Sequence, residues 1–125
     1  MRIEYENQST FFISRFRDGD TVEGFLQCRC CRGVSRDTVR LLKLESWELA
    51  SGDRARAITT ADQLSNHFRG KTGLLSTRTI RRDRYGRILA DIIINDKSLA
   101  LSIVEMGLGW WGVGEPEPEQ LRSGT

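Results

Sequence analysis

The sequence predicts a mainly β domain of the α+β class, in which five strands form a small Greek-key barrel with helices packed against it. Three observations predict this class: three strand-like stretches near the start, an amphipathic helical stretch after them, and two more strand-like stretches before a short helix. The chain has 125 residues, which is enough for one hydrophobic core and too few for two. We therefore expect a single domain.

The first three strands are predicted from their apolar and β-branched residues. Phe11 to Phe16 and Thr21 to Leu26 flank an Asp-Gly turn, and Thr38 to Leu44 comes later. The polar stretch from Gln27 to Asp37 is predicted to be a long hairpin loop between the second and third strands.

Beyond Glu48 the apolar residues change to helical spacing. They predict an amphipathic helix that faces the core and ends at Gly70, with apolar positions Ala57, Ile58, Ala61, Leu64 and Phe68. The start of this helix has two interpretations. Either Ser51 or Asp53 caps it, or Thr60 and Gln63 form a capping box farther along.

Two further strands and a short helix complete the predicted fold. Lys71 to Ile80 and Arg87 to Ile94 are joined by a polar turn through Asp83 and Gly86. The short helix that follows ends at Gly107 and has apolar residues at Leu99, Ile103 and Met106. Five strands and two helices in this order predict an OB-fold, a barrel that often binds oligonucleotides.

Composition indicates a soluble intracellular protein. No apolar run reaches the roughly 20 residues that span a bilayer, and the acidic start of the chain lacks the apolar segment of a secretory signal. We expect a cytoplasmic monomer without a membrane partner. The folded domain is predicted in residues 1–111 and a flexible acidic tail in residues 112–125.

Charge and cysteine content add two expectations. The net charge is only +2, but basic residues concentrate between Arg69 and Arg87, where Asp83 is the one acid. Such a run indicates either a solvated surface or a phosphate-binding patch. The cysteines lack the spacing of a zinc ribbon, so thiols in the hairpin loop are expected at Cys28, Cys30 and Cys31.

Three short stretches carry the residue types that a metal-dependent phosphodiesterase needs. They are Asp18-Gly19-Asp20-Thr21, then Val39-Arg40-Leu41 with Glu45-Ser46-Trp47-Glu48, and then Asp83-Arg84-Tyr85-Gly86-Arg87. Carboxylates from separate stretches can hold a hard divalent cation, and the planar forks of arginines fit phosphate oxygens. Each stretch alone is also compatible with ordinary turns and strand ends. Their ordered combination favours the phosphodiesterase interpretation.

The three stretches resemble those of the thermonucleases, the staphylococcal nuclease-like family. The resemblance runs from about Phe12 to Leu108 and includes Leu89-Ala90 and the helix end at Val104 to Leu108. It implies an OB-type barrel with a calcium-dependent nuclease activity on DNA or RNA of little sequence preference.

The resemblance also implies roles for the acidic residues. Asp20 and Glu45 match the carboxylates that ligate calcium, and Ser46 matches a residue that contributes its backbone carbonyl to the same ion. Glu48 matches the glutamate that orients or deprotonates the attacking water. All of these ligands are oxygens, as calcium requires.

The basic residues are predicted to contact the substrate. By resemblance, Arg40 and Arg87 grip the scissile phosphate, and Arg84 and Tyr85 contact a neighbouring one. The basic run adds further candidate nucleic-acid contacts at Lys71, Arg81 and Arg82.

Two residues depart from the family's pattern. Glu45 stands where the family has aspartate, and Trp47 stands where it has proline. The departures keep open a second function, a module that binds single-stranded nucleic acid without cleaving it, and a third, a partner-binding barrel with no nucleic-acid role. Trp110 and Trp111 also have two interpretations, nucleobase stacking or closure of the core, of which the favoured prediction is core closure.

Overall fold

The computed structural model describes residues 8–29, 31–49 and 53–112. Within these ranges the chain forms nine strands and two helices: β1 (Thr10–Asp18), β2 (Thr21–Gln27), β3 (Val34–Leu41), β4 (Leu44–Glu45), α1 (Arg54–Phe68), β5 (Thr72–Leu75), β6 (Ile88–Ala90), β7 (Ile92–Ile94), β8 (Lys97–Ser98), α2 (Leu99–Glu105) and β9 (Trp110–Trp111). Apart from Gly112, the predicted acidic tail lies outside the described residues.

The main sheet closes on itself through one interrupted strand. Strands β1, β2 and β3 form an antiparallel meander, and β5 pairs with the other edge of β1. Asp91 separates β6, which runs parallel to β3, from β7, which runs antiparallel to β5. Residues 88–94 therefore join both edges of the sheet, and counting them as one strand gives the five-stranded barrel. The predicted mainly β fold with packed helices is confirmed.

Helix α1 covers the barrel on the side of β1. The backbone N–H of Phe16 donates to Ser65 Oγ at 2.8 Å, and the rings of Phe16 and Phe68 lie 6.0 Å apart. The helix begins directly after Asp53, whereas Thr60 is buried within it, so the capping box at Thr60 is wrong. Ser51 lies outside the described residues. The helix is thus held to β1 by its buried face.

Several predicted element boundaries need correction. Strand β2 ends at Gln27 and β3 begins at Val34, which pair with each other, so the predicted loop from Gln27 to Asp37 is too long; Cys30 lies outside the described residues. Strand β5 ends at Leu75, and the chain up to β6 is irregular except for a bridge between Arg82 and Ile88. Strand β3 thus begins among polar residues, and β5 ends before the predicted strand does. Both boundaries depend on pairing with neighbouring strands, which local β propensity does not reveal. Neither helix in the described ranges is both long and apolar enough to cross a membrane.

Candidate functional site

Asp20 lies in a two-residue turn between β1 and β2 that is pressed against β4. Asp18 pairs with Thr21 across this turn. A Cβ atom on Gly19 would lie only 1.9 Å from Ser46 Oγ, so only glycine permits this approach. Ser46 Oγ in turn donates to the carbonyl of Leu108 at 2.8 Å. The Asp-Gly-Asp sequence therefore brings a carboxylate next to the residues that follow β3.

Three carboxylates converge at this point. Asp20, Glu45 and Glu48 each offer an oxygen within 4.8 Å of the oxygens offered by the other two. Asp20 is buried, Glu45 is half-buried and Glu48 is exposed, so the group opens towards solvent on the Glu48 side. We call these three residues the carboxylate cluster. An all-oxygen group of this kind suits a hard divalent cation.

Arg40 lies beneath the carboxylate cluster. Its Nη1 donates to the carbonyls of Leu41 at 2.6 Å and Leu44 at 2.8 Å. Its Nη2 lies 3.6 Å from Asp20 Oδ2 and 3.5 Å from Glu45 Oε2. The side chain is only 9% exposed. In this structure Arg40 braces the two carboxylates and the turn after β3, a role that the sequence did not predict.

The carboxylate of Asp20 is in an unfavourable environment for a charge. Burial raises the pKa of Asp20 to about 8, and the nearby Asp18 side chain adds to the rise while Arg40 and Thr21 oppose it. Its one short side-chain hydrogen bond comes from Thr21 Oγ1 at 2.9 Å. A bound cation would compensate this charge, which supports a metal site here.

An open cleft of about 680 Å³ adjoins the cluster at Glu48. Among the predicted site residues, Glu48, Tyr85 and Arg87 line it. The other lining residues come mainly from β1, β2 and β3 and are Arg17, Asp18, Thr21, Arg36, Asp37, Thr38, Leu49 and Gly86. The cleft therefore lies between the turn that carries Tyr85 and Arg87 and the outer face of strands β1 to β3.

Asp83 fixes the position of Arg87 in the cleft. Its Oδ1 accepts the backbone N–H groups of Tyr85 and Arg87, both at 2.9 Å, and its Oδ2 accepts Arg87 Nε at 2.7 Å. The Arg87 guanidinium carbon lies 5.5 Å from the centre of the Tyr85 ring. Because Nε is held by Asp83, the two terminal nitrogens of Arg87 are left to face a ligand.

The remaining predicted basic contacts do not line the cleft. Lys71, Arg81, Arg82 and Arg84 are exposed, and none of them is among the described residues that line it. Arg82 instead forms a two-pronged pair with Asp37, at 2.8 Å for both nitrogen–oxygen contacts, and also donates to the carbonyl of Gly86 at 2.8 Å. Arg82 thus ties the turn of Arg87 to β3.

The prediction that Trp110 and Trp111 close the core is wrong. The two residues form β9, which pairs with β4 in register Glu45 with Trp110, and they are 45% and 47% exposed. The Trp47 and Trp110 rings meet edge to face at 5.2 Å. Pairing with a two-residue strand, rather than burial, holds these side chains near Glu45.

Arg17 and Arg36 also line the cleft, although the sequence did not point to them as site residues. Arg36 pairs with Phe25 and points to the same face as Thr38, two residues on, which also lines the cleft. The alternation of β3 could have revealed this face, but the segment was interpreted as a loop.

A comparison with known families bears on this geometry. A family model described as "Staphylococcal nuclease homologue" matches residues 38–123, more than half of the chain. The match includes Arg40, Glu45, Glu48 and Arg87, while Asp20 precedes it. None of the curated proteins compared with the chain matches it.

Proposed function

The chain belongs to the staphylococcal nuclease homologue family, and from that membership and the carboxylate cluster we propose that it is a calcium-dependent nuclease. It hydrolyses phosphodiester bonds of DNA or RNA with little sequence preference. The observation that carries the proposal is the convergence of Asp20, Glu45 and Glu48 from separate parts of the chain. Bringing three carboxylates together costs free energy that the single charge of Arg40 offsets only in part, so a divalent cation would stabilise the group further.

The donor set supports calcium as the ion. Asp20 and Glu45 would hold it through their carboxylates, and the backbone carbonyl of Ser46 is a further candidate ligand. Calcium accepts such oxygen ligands in flexible geometry, which accommodates a glutamate in place of an aspartate. When bound, the cation would supply Lewis-acid stabilisation of charge on a phosphate oxygen.

Glu48 has the position of a general base in this proposal. It is the exposed member of the carboxylate cluster and also lines the cleft, so its carboxylate can hold a water molecule between the two. Accepting a proton from that water while it attacks phosphorus is a contribution of about 10²–10⁴-fold in other enzymes.

The two arginines have different roles in this proposal: Arg87 binds the phosphate, and Arg40 positions the carboxylates. Arg87 presents its terminal nitrogens to the cleft and binds the phosphate oxygens in two-pronged fashion. Arg40 acts from beneath, where its Nη2 faces the cluster and keeps Asp20 and Glu45 in place. Tyr85, which lines the same cleft, contacts a neighbouring nucleotide.

The test is hydrolysis of labelled single-stranded DNA and RNA with calcium or with a chelator. We expect cleavage in calcium only, and Glu48→Gln should lower turnover at least about 100-fold while substrate binding persists. Glu105→Gln is the matched control, because Glu105 is an exposed acid of α2 that pairs with Lys97. Folded protein that binds DNA without metal and leaves it intact would identify a binding module instead.

A further inference from the structure

The outer face of strands β1 to β3 continues from the cleft to the tip of the β2–β3 hairpin. At the cleft end it carries Arg17 and Arg36, which both line the cleft. At the far end Arg29 and Arg32 line a small depression of about 160 Å³, which also includes Gln27. Strand β2 covers the distance between the two ends, about 20 Å at roughly 3.3 Å per residue.

Two phenylalanines are exposed between these ends. Phe12 and Phe25 pair with each other across β1 and β2, and each is 38% exposed. Arg36 pairs with Phe25 on the other side of β2, and its guanidinium carbon lies 5.6 Å from the centre of the Phe25 ring. Gln27 follows Phe25 by two residues, so it points to the same face and connects the rings to the hairpin tip. We call this surface the outer track, and its members are Phe12, Arg17, Phe25, Arg29, Arg32 and Arg36.

The outer track has an excess of positive charge. Glu23 is the acid at its middle, and this carboxylate is already paired with Arg15 at 2.7 Å. Among the described residues, no carboxylate forms an ion pair with Arg29, Arg32 or Arg36. These three guanidinium groups therefore keep their charge available for an anionic ligand.

We propose that the outer track binds the single-stranded nucleic acid that extends from the cleft, with a phosphate at Arg36 and an unpaired base on the Phe25 ring. The inference rests on the proposed function and names its substrate class, a single strand that is long enough to reach the hairpin tip. A base in a duplex is already stacked and paired, so only an unpaired strand offers a free face to the ring.

Continuity with the cleft decides the occupant. Arg36 lines the cleft and also lies over the exposed Phe25 ring, so a strand that binds in the cleft meets Phe25 next. A nucleic acid strand alternates phosphates with flat rings, and the outer track offers an arginine beside an aromatic ring and two further arginines beyond it. An apolar protein segment would cover the phenylalanines but leave the charges of the arginines without compensation.

The dependence of binding on strand length provides the test. Fluorescence anisotropy measures the binding of labelled oligothymidylates of about 4 and about 12 nucleotides to the full chain with a chelator present, lengths within the range of about 4–16 nucleotides that one OB fold covers. We expect the longer strand to bind more tightly, and Arg36→Gln and Phe25→Leu should each reduce this advantage about tenfold. Phe25→Tyr should restore it, because the variant keeps a ring.

Salt dependence and base dependence separate the two contacts. Arg36→Gln should lower the slope of log Kd against log salt concentration by about 0.7, because one phosphate contact is lost, whereas Phe25→Leu should leave the slope unchanged. An abasic strand of the longer length should bind equally to the parent chain and to Phe25→Leu. A purely structural role for these residues would change neither the slope nor the dependence on bases.

Arg78→Gln and Leu101→Ala are the matched control variants. Arg78 is an exposed arginine that lines neither the cleft nor the depression at the hairpin tip. Leu101 is a residue of α2 that is 38% exposed, like Phe25. Both variants should keep the parent chain's preference for the longer strand.

Each outcome bears on one proposal. Cleavage in calcium by a chain whose affinity does not depend on strand length overturns the outer track and leaves the nuclease in place. A length preference that Arg36→Gln and Phe25→Leu reduce, without cleavage in calcium, supports the outer track and overturns the nuclease. Equal weakening of normal and abasic strands by Phe25→Leu overturns the stacked base. A dimer in sedimentation that Phe25→Leu removes would assign this face to contact between copies and overturn the outer track.

Discussion

Asp20 and Asp83 are both buried aspartates that face an arginine, yet the protein satisfies their carboxylates very differently. Asp83 receives two backbone N–H groups and the Nε of Arg87, all within 2.9 Å. Asp20 receives Thr21 Oγ1 at 2.9 Å, and its arginine, Arg40, stays at 3.6 Å. Among the described residues, Asp83 therefore has more hydrogen-bond donors than Asp20.

This difference in hydrogen bonding suits the pair of Asp83 and Arg87 to positioning, and the pair of Asp20 and Arg40 to binding an ion. The Asp83 carboxylate uses three of its roughly four acceptor sites within its own turn, so it has little capacity for a metal and holds Arg87 in the cleft. A buried carboxylate with few donors raises the free energy of the metal-free protein and gains most from a cation. Under the proposed function, the same two residue types would serve substrate binding in one place and ion binding in the other.

The largest expected effect comes from removing each arginine in turn. Arg87→Met should lower turnover by roughly 10²–10³-fold, because a donor to the charged phosphate is lost, and should cost about 1–3 kcal/mol of unfolding free energy, because the buried Asp83 Oδ2 loses its partner while its two backbone donors to Oδ1 remain. Arg40→Met should cost about 3–5 kcal/mol, because the buried carbonyls of Leu41 and Leu44 lose their donor and Glu45 loses its counter-charge. Urea unfolding and cleavage rates measure both, and equal losses of stability in the two variants would contradict the division of roles.

Asp20→Asn tests the shortage of donors directly. Since the amide carries no charge to desolvate, and Arg40 keeps Glu45 and two carbonyls as partners, we expect the metal-free protein to gain roughly 1 kcal/mol of unfolding free energy. Calcium should stabilise the parent chain and leave the variant unchanged. A variant that is less stable than the parent in chelator would mean that Asp20 is a structural residue.

The convergence of Asp20, Glu45 and Glu48 was expected from the resemblance to the thermonucleases, whereas the exposed position of Trp110 beside Glu45 was not. Asp20 lies in a two-residue turn and Glu45 ends a strand, so local patterns placed both at barrel edges. Trp110 reaches Glu45 only through the pairing of β9 with β4, two residues each and far apart along the chain. Such short strands have no periodicity to detect. Likewise, the sequence placed Asp83 in a polar turn but could not predict that it holds Arg87, because its hydrogen bonds depend on the fold of that turn.

Glu45, which stands where the family has aspartate, lies directly against Gly112. A Cβ at Gly112 would lie 2.7 Å from Glu45 Cγ and 3.0 Å from its Oε2, so the longer side chain occupies space that glycine leaves. Gly112→Ala should weaken calcium binding about tenfold, as other losses of ligand support do. Glu45→Asp should recover part of this loss in the Gly112→Ala background and should not improve the parent chain.

Calorimetric titration with calcium measures these variants. Gly33→Ala is the matched control, because its new Cβ would meet only Cys31 Sγ at an ordinary 3.5 Å. If Gly112→Ala bound calcium like the control, the glycine would have no part in holding Glu45.

The smallest effect is expected for a third pair, Asp37 with Arg82, which lies at the surface, unlike the two buried aspartates. Partial burial opposes ionisation, but hydrogen bonds from Arg82 and the Thr38 N–H outweigh it and lower the pKa of Asp37 from 3.8. The pair therefore contributes its stability above that pH and loses it as the pH falls through the lowered pKa of the folded state. Asp37→Asn should cost less than about 1 kcal/mol at neutral pH, since the Arg82 side chain is 44% exposed, and its free energy of unfolding should fall less steeply than the parent's in acid. If the free energies of unfolding of the two proteins, measured in urea, fell equally steeply as the pH is lowered, the pair would make no contribution to stability.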